Sequence, residues 1–342
     1  MSSASRRGLT NAGNTCYLNS AVQLLRHAPR FVELFSTGAW TRWRHDDRKG
    51  LALADELSTL LEELTKPGDA PVHSRKFAKA FITFARDIND EITFGAQADA
   101  AEAIQILLDG LHTHIAREVR MDIQGQMSTQ SQREMRQSLE SWATFYRKEY
   151  SPLVEQFYGQ TQTTVICEKC RARSTRYEPW CVLKLPIPGA EKAGAPAPSL
   201  HECLRANFAS ETLDDYACDG CKSRGAATME HAMSRFPEYL IVSLKRFTNL
   251  GAKVRARIPY DEDLVDLTEW RSWPALQAVQ RYRVISTVEH LGSSRGGHYC
   301  ARGRGSDGGW TMYDDTHATA IPTMGGSAAP DTYVLLLQRV SQ

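Results

Sequence analysis

Two Cys-x-x-Cys units, Cys167-Glu168-Lys169-Cys170 and Cys218-Asp219-Gly220-Cys221, constrain this chain more than any other feature. Each has the spacing of a tight turn that offers two thiolates to one ion, and two such turns complete a tetrahedral four-cysteine zinc site. Between the units lie 47 residues, more than a minimal ribbon needs, so strands and a Pro-rich connector must lie between the halves. Sulfur fills all four positions and leaves none open, so the expected zinc, one per chain, is structural rather than catalytic. Cys181 and Cys203 fall outside the pattern and read as buried thiols. With half of the eight cysteines in this pattern, the chain reads as a protein of a reducing compartment, not a disulfide framework.

The remainder divides into two regions. In the first third, Leu51, Leu53, Ala54, Leu57, Leu60, Leu61 and Leu64 form an apolar helical stripe closed by Lys66-Pro67-Gly68. Phe77, Phe81 and Phe84 recur at helical spacing and read as core, and Ala101 to His114 reads as a further helix. Met121 to Ser138 is polar and Gln-rich, the pattern of a solvated helix or mobile loop. From about Pro152 the character changes to short β-prone runs: Thr161–Ile166, Tyr239–Leu244, Tyr282–Glu289, Tyr299–Arg302, Trp310–Tyr313 and Thr332–Leu337. Pro186 to Ser199 holds four prolines and reads as an exposed connector, with loops expected at Gly292–Gly297, Gly303–Gly309 and Gly325–Pro330. The picture is a helical lobe, then an antiparallel sheet lobe with a metal-bearing extension, and a cleft between lobes is a favoured place for a site.

Lys+Arg and Asp+Glu nearly cancel to a net charge of +1, which argues against nucleic acid or an anionic membrane surface as partner. No apolar run is long enough for a membrane span. Arg6-Arg7 is followed by Gly8-Leu9-Thr10-Asn11 rather than an apolar segment, so no export signal is read.

The run Gly8-Leu9-Thr10-Asn11-Ala12-Gly13-Asn14-Thr15-Cys16-Tyr17-Leu18-Asn19-Ser20 sets one cysteine directly after a polar turn. Apolar residues at Leu18, Ala21, Val22, Leu24, Leu25 and Ala28 follow at helical period. A sulfur at a helix N-terminus meets free N–H groups and the positive end of the dipole, so Cys16 is expected to lean toward thiolate. Asn11 supplies an amide donor for a developing oxyanion. The base that a cysteine nucleophile needs is best sought at Arg295-Gly296-Gly297-His298-Tyr299-Cys300, where two glycines open a strand that carries an imidazole. Farther on, Trp310-Thr311-Met312-Tyr313-Asp314-Asp315 ends in two carboxylates, and a hairpin through Gly303–Gly309 would return one of them to His298. Alternation along a strand predicts that Asp314 and Asp315 do not both face it. His290, His317 and Cys300 read as structural.

Gln97-Ala98-Asp99-Ala100-Ala101-Glu102 leads into the Ala101–His114 helix. Asp99 at the N-cap and Glu102 three residues on have the form of a capping arrangement. The same acids, if exposed, would bind a basic substrate tail, and both readings stand at this level.

The stretch Gly8–Ser20 resembles the Cys box of the ubiquitin-specific proteases nearly residue for residue. Blocks at Gln97–Leu111, Cys167–Cys221, Phe236–Phe247 and Tyr282–Asp315 match that family in order, so the likeness spans almost the whole chain. It implies an α+β, papain-like cysteine protease fold: a helical thumb lobe over about 8–150, an antiparallel sheet palm lobe over 151–342, and zinc-bearing fingers near 160–232, in one catalytic domain. Carried over, Cys16 is the nucleophile, His298 the base and then the acid, Asp314 the orienter, Asp315 a supporting acid and Asn11 an oxyanion donor. Gln97, Asp99, Glu102 and Tyr299 fall in blocks that bind substrate, though Ala98 replaces the family's usual second Gln. The implied activity is hydrolysis at the C-terminal glycine of ubiquitin or a ubiquitin-like modifier, with ubiquitin and ubiquitinated proteins as partners and no catalytic cofactor. The implied setting is intracellular, cytoplasmic or nuclear. A catalytically silent ubiquitin-binding module on the same fold is the alternative, and a zinc-ribbon nucleic-acid binder is disfavoured by the near-neutral charge.

Overall fold

In the computed structural model, residues 6–45, 51–189, 196–248, 251–293, 296–322 and 331–340 are described. Part of the Pro186–Ser199 connector, Ser294 and Arg295, and the whole of Gly325–Pro330 lie outside them. The N-terminal half is helical: α1 (Cys16–Leu25), α2 (Pro29–Ser36), α3 (Leu51–Thr65), α4 (Arg75–Ala85), α5 (Ala100–Ile115), α6 (Gln130–Tyr146) and α7 (Pro152–Phe157). Every residue of α1 is buried. Its polar side chains are therefore bonded rather than solvated: Asn19 donates to the Thr10 carbonyl and Gln23 to the Arg7 carbonyl. The Gln-rich stretch divides: the chain is irregular to Ser128, then a capping box of Thr129 and Gln132 starts α6.

The rest is mainly strand: β1 (Gly159–Cys167), β2 (Arg173–Trp180), β3 (Val182–Leu185), β4 (Glu211–Ala217), β5 (Arg224–Arg235), β6 (Tyr239–Leu244), β7 (Val265–Asp266), β8 (Arg281–Ser293), β9 (Gly296–Arg304), β10 (Trp310–Asp314), β11 (His317–Ile321) and β12 (Thr332–Arg339), with α8 (Leu200–Asn207) between β3 and β4. They form two sheets. The smaller is antiparallel, in the order β2-β1-β5-β4. The larger runs β11-β10-β9-β8-β12-β6-β3, with β7 beside β8. The α+β class holds, with one departure from an antiparallel sheet: β3 pairs with β6 in parallel. Within the glycine-rich stretch expected as a loop, Gly292 and Ser293 at the end of β8 pair with Gly297 and Gly296 at the start of β9.

Apolar side chains cover both faces of the large sheet. Tyr239, Ile241, Val334 and Leu336 join the core built by the helices; Leu240, Val242, Leu335 and Leu337 join a second core with Leu200 and Leu204 of α8. Strands buried on both faces read as unbroken apolar runs, which is why Tyr239–Leu244 and Tyr333–Leu337 show no alternation in sequence. Each such fully buried Leu or Val contributes about 1.5–3 kcal/mol. The result fixes α1 directly against β8, β9 and β10.

Candidate active site

The turn before α1 is built on Asn11. Its Oδ1 accepts from the Gly13 and Thr15 N–H groups at 3.0 and 3.1 Å, and Gly13 and Asn14 take positive φ values of 114° and 53°. Gly8 brings the segment before this turn onto the β10–β11 hairpin: a Cβ there would overlap the backbone of Asp315 and Thr316, and the Leu9 N–H donates to the Asp315 carbonyl at 2.7 Å.

Cys16 is the first residue of α1, as its sequence context predicts, but its ionisation is not what the helix end alone would give. Its residue is 4% exposed. Burial pushes the thiol above its ordinary value, the Tyr299 N–H acting on the sulfur pulls it down, and the Asp315 carboxylate pushes it up again. Burial outweighs the N–H groups, so the net direction is upward.

His298 lies near the start of β9. Its Nε2 is 2.5 Å from Oδ1 of Asp314, the last residue of β10. A carboxylate only accepts, so Nε2 is the donor, and in the neutral ring Nδ1 is the nitrogen with the lone pair. Gly297 is required where it stands, because a Cβ would overlap the His290 ring and the Leu291 carbonyl.

Asp315 departs from the alternation argument. It leaves the strand for a two-residue turn at φ 47°, and its carboxylate, that of Asp314 and the His298 ring lie within 4.8 Å of one another. Alternation applies inside a strand and fails at its end. Asp315 also has bonds of its own: Oδ2 accepts from Asn11 at 2.8 Å and Oδ1 from Asn19 at 2.7 Å.

Beside this centre runs a cleft of about 480 Å³, lined among others by Gln97, Asp99, Glu102, Phe247, His290 and Tyr299. Gln97 is held at both amide atoms: Nε2 donates to the Gly297 carbonyl at 2.9 Å, and Oε1 accepts from its N–H at 3.3 Å. Asp99 caps α5 by accepting the Glu102 N–H at 2.9 Å, and its second oxygen accepts from Tyr333 at 2.5 Å. Glu102 does not complete the capping box; it accepts from Asn89 at 2.8 Å and is exposed. Desolvation pushes His290 down to about 4, and its ring packs on Tyr299 with centroids 4.7 Å apart.

The four cysteines of the paired units meet at the end of the small sheet, where the β1–β2 and β4–β5 turns converge. Cys167 and Cys221 sulfurs are 4.0 Å apart, Cys170 and Cys218 sulfurs 3.6 Å, and all four lie within 4.8 Å. A tetrahedron of metal–sulfur bonds of about 2.3 Å has edges of about 3.8 Å. The cluster therefore fits a four-coordinate metal ion. Both turns close with a residue at positive φ, Arg171 at 59° and Lys222 at 55°. Cys181 and Cys203 are buried, and among the described residues all eight cysteines are free.

The sequence profile of the family described as ubiquitin carboxyl-terminal hydrolase matches residues 7–336. The chain belongs to that family. This is a family of cysteine-type hydrolases. Ubiquitin carboxyl-terminal hydrolase 5 of Saccharomyces cerevisiae is 28% identical over 97% of this chain and 44% of its own length. Ubiquitin carboxyl-terminal hydrolase 2 of Homo sapiens is 25% identical over 98% of this chain and 55% of its own length. The chain thus spans about half the length of the curated relatives it matches. Among solved structures, the SAGA Ubp8/Sgf11/Sus1/Sgf73 DUB module bound to ubiquitin aldehyde has a chain that aligns with a TM-score of 0.75 and 20% identity. That alignment covers all of this chain and 72% of the other, and it shows the shared fold.

For a ubiquitin carboxyl-terminal hydrolase, two features of this site are not assigned in the sequence reading. Asn19, one helical turn after Cys16, faces Asp315; its i+3 spacing from the cysteine is a usable signal. Tyr333, which binds Asp99, and Phe247 of the cleft wall carry no local signal, because tertiary packing brings them in; His290, expected as structural, lies in the same wall with its ring on Tyr299.

Proposed function

We propose that this chain is a thiol-dependent deubiquitinase that cleaves the isopeptide or peptide bond after the C-terminal glycine of ubiquitin. The observation that carries the reading is the Asp314–His298 contact at 2.5 Å, on two strands packed directly against the helix that Cys16 begins. The Cys16 thiol passes its proton to Nδ1 of His298 as the sulfur attacks the carbonyl carbon of the glycine. The carbonyl oxygen becomes an oxyanion that takes a hydrogen bond from Asn11, whose amide is held by Asp315. Collapse expels the lysine amine, which leaves with the proton from His298. Water, deprotonated by the same imidazole, then attacks the thioester and frees the glycine carboxylate and the thiol. Asp314 holds the tautomer throughout.

The cleft beside Gln97, Asp99 and Glu102 is where the basic C-terminal tail would lie, with the exposed Glu102 the better placed acid. Zinc would be held by Cys167, Cys170, Cys218 and Cys221, stiffening the end of the small sheet and taking no part in bond breaking. The four-cysteine cluster and free thiols suit a reducing interior, cytoplasmic or nuclear, and among the described residues no helix is long and apolar enough to cross a membrane.

The deciding measurement is release of fluorophore from a ubiquitin C-terminal amide by the purified chain and by Cys16→Ala. Turnover by the parent and none by the variant is expected. Binding of ubiquitin without turnover by the parent would replace this reading with a silent binding module.

A further inference from the structure

Helix α1 packs along strand β9, and of two contacts at the ends of that seam only the first lies in the candidate site. At that point the Tyr299 N–H acts on the Cys16 sulfur. At the second, His27, just past the end of α1, lies against Gly303 near the far end of β9. A Cβ at position 303 would fall inside the imidazole ring. The ten residues of α1 span about 15 Å, and the four residues of strand from Tyr299 to Gly303 about 13 Å. Helix and strand therefore run side by side over similar lengths between the two contacts.

The second contact is built from several parts. His27 Nδ1 is 2.8 Å from the Gln23 carbonyl, which only accepts, so Nδ1 carries the proton. Burial pushes the imidazole down to about 3, with the neighbouring Arg26 charge acting in the same direction; the ring stays neutral and acts by shape. It also packs on Tyr313, with centroids 5.6 Å apart. The Arg26 guanidinium lies 5.4 Å from the Tyr313 ring and donates to the Gln23 amide oxygen and the Leu64 carbonyl. Tyr313 is buried and directly precedes Asp314. Thus one cluster grips the end of α1, β9 and the residue before the histidine's carboxylate.

We propose that His27, seated on Gly303 and Tyr313, is a positioning residue that sets the separation of Cys16 from His298, and that position 303 must be glycine because any side chain there lifts α1 off β9. The inference rests on the reading of Cys16 and His298 as a catalytic pair and adds the element that fixes their register. Neither His27 nor Gly303 lines the cleft or belongs to the His298, Asp314 and Asp315 group, so their effect must appear in geometry alone.

The test compares Gly303→Ala, His27→Ala and the double variant. Three quantities are read: thermal stability, the pH profile of Cys16 alkylation by iodoacetamide followed on the Cys16 peptide by mass spectrometry, and kcat and KM on a ubiquitin C-terminal amide. Gly303→Ala should fold, lose about 10²-fold in kcat with KM nearly unchanged, and show a displaced alkylation profile, because a shift of about 1 Å at a reacting atom has that effect. In the double variant the smaller side chain at 27 makes room for the new methyl, so kcat and the alkylation profile should recover most of the loss. Parent-like kcat and alkylation in folded Gly303→Ala, or no recovery in the double variant, would overturn the proposal. If Gly303→Ala does not fold, His27→Ala decides. It should fold and lower kcat about tenfold with a displaced alkylation profile, and parent-like values would refute the role. Should the parent release no fluorophore, the deubiquitinase reading falls, while the alkylation profiles, which need no substrate, still judge the positioning.

Discussion

The carboxylate of Asp315 accepts the Asn11 amide at 2.8 Å and thereby ties the hairpin that carries Asp314 to the turn that presents Cys16. One amide hydrogen of Asn11 is spent on that contact, and Oδ1 is occupied by the Gly13 and Thr15 N–H groups. The second amide hydrogen is thus held in one direction rather than left to rotate, which is what a preorganised oxyanion donor requires.

Asp315→Ala should lower kcat by about 10²-fold through loss of that order. It should also move Cys16 alkylation to lower pH. A nearby carboxylate opposes formation of a second negative charge, so its removal eases ionisation of the thiol. Alkylation rates against pH and steady-state kinetics on the same preparation check both halves. A shift to higher pH would contradict the assignment.

Asp314→Ala removes the group that fixes the His298 tautomer and should cost more than Asp315→Ala, between about 10²- and 10⁴-fold in kcat. Asn11→Ala should lie near about 10²–10³-fold, with KM little changed. Equal losses from Asp314→Ala and Asp315→Ala in single-turnover measurements would mean that the two carboxylates share one role.

Cys170→Ser and Cys221→Ser should each release metal and destabilise the small sheet. Four-cysteine zinc sites hold on the order of 10–16 kcal/mol of apparent binding free energy in small peptides. Elemental analysis should find one zinc per chain in the parent and a deficit in both variants. Zinc retained at parent level by both would exclude the site.

Glu102→Lys and Asp99→Lys separate recognition from capping. Glu102 is exposed and contacts Asn89, so reversing its charge should raise KM for a ubiquitin substrate with little change in melting temperature. Asp99 caps α5 and binds Tyr333, so its replacement should also cost about 0.5–2 kcal/mol of stability. Thermal melts alongside KM measurements distinguish them. An unchanged KM in Glu102→Lys would leave that residue without a binding role.

What was legible in the sequence was whatever short-range chemistry decides. A cysteine after an Asn-Ala-Gly-Asn-Thr turn, a Gly-Gly-His strand opening and two Cys-x-x-Cys turns each depend on a few neighbouring residues, and each lies where its local pattern predicts. The same holds for Asp99 as an N-cap. Tertiary structure alone decided the relations among these pieces. Alternation predicted one carboxylate facing His298, but a turn residue at positive φ brings Asp315 into the same group. The helix end predicted a thiolate at Cys16, but desolvation, which depends on everything packed around the sulfur, raises it. Gln97 meets Gly297 and His27 meets Gly303 because the helices close over the large sheet. Contacts between residues hundreds of positions apart follow from which surfaces are buried together, and no local spacing carries that information.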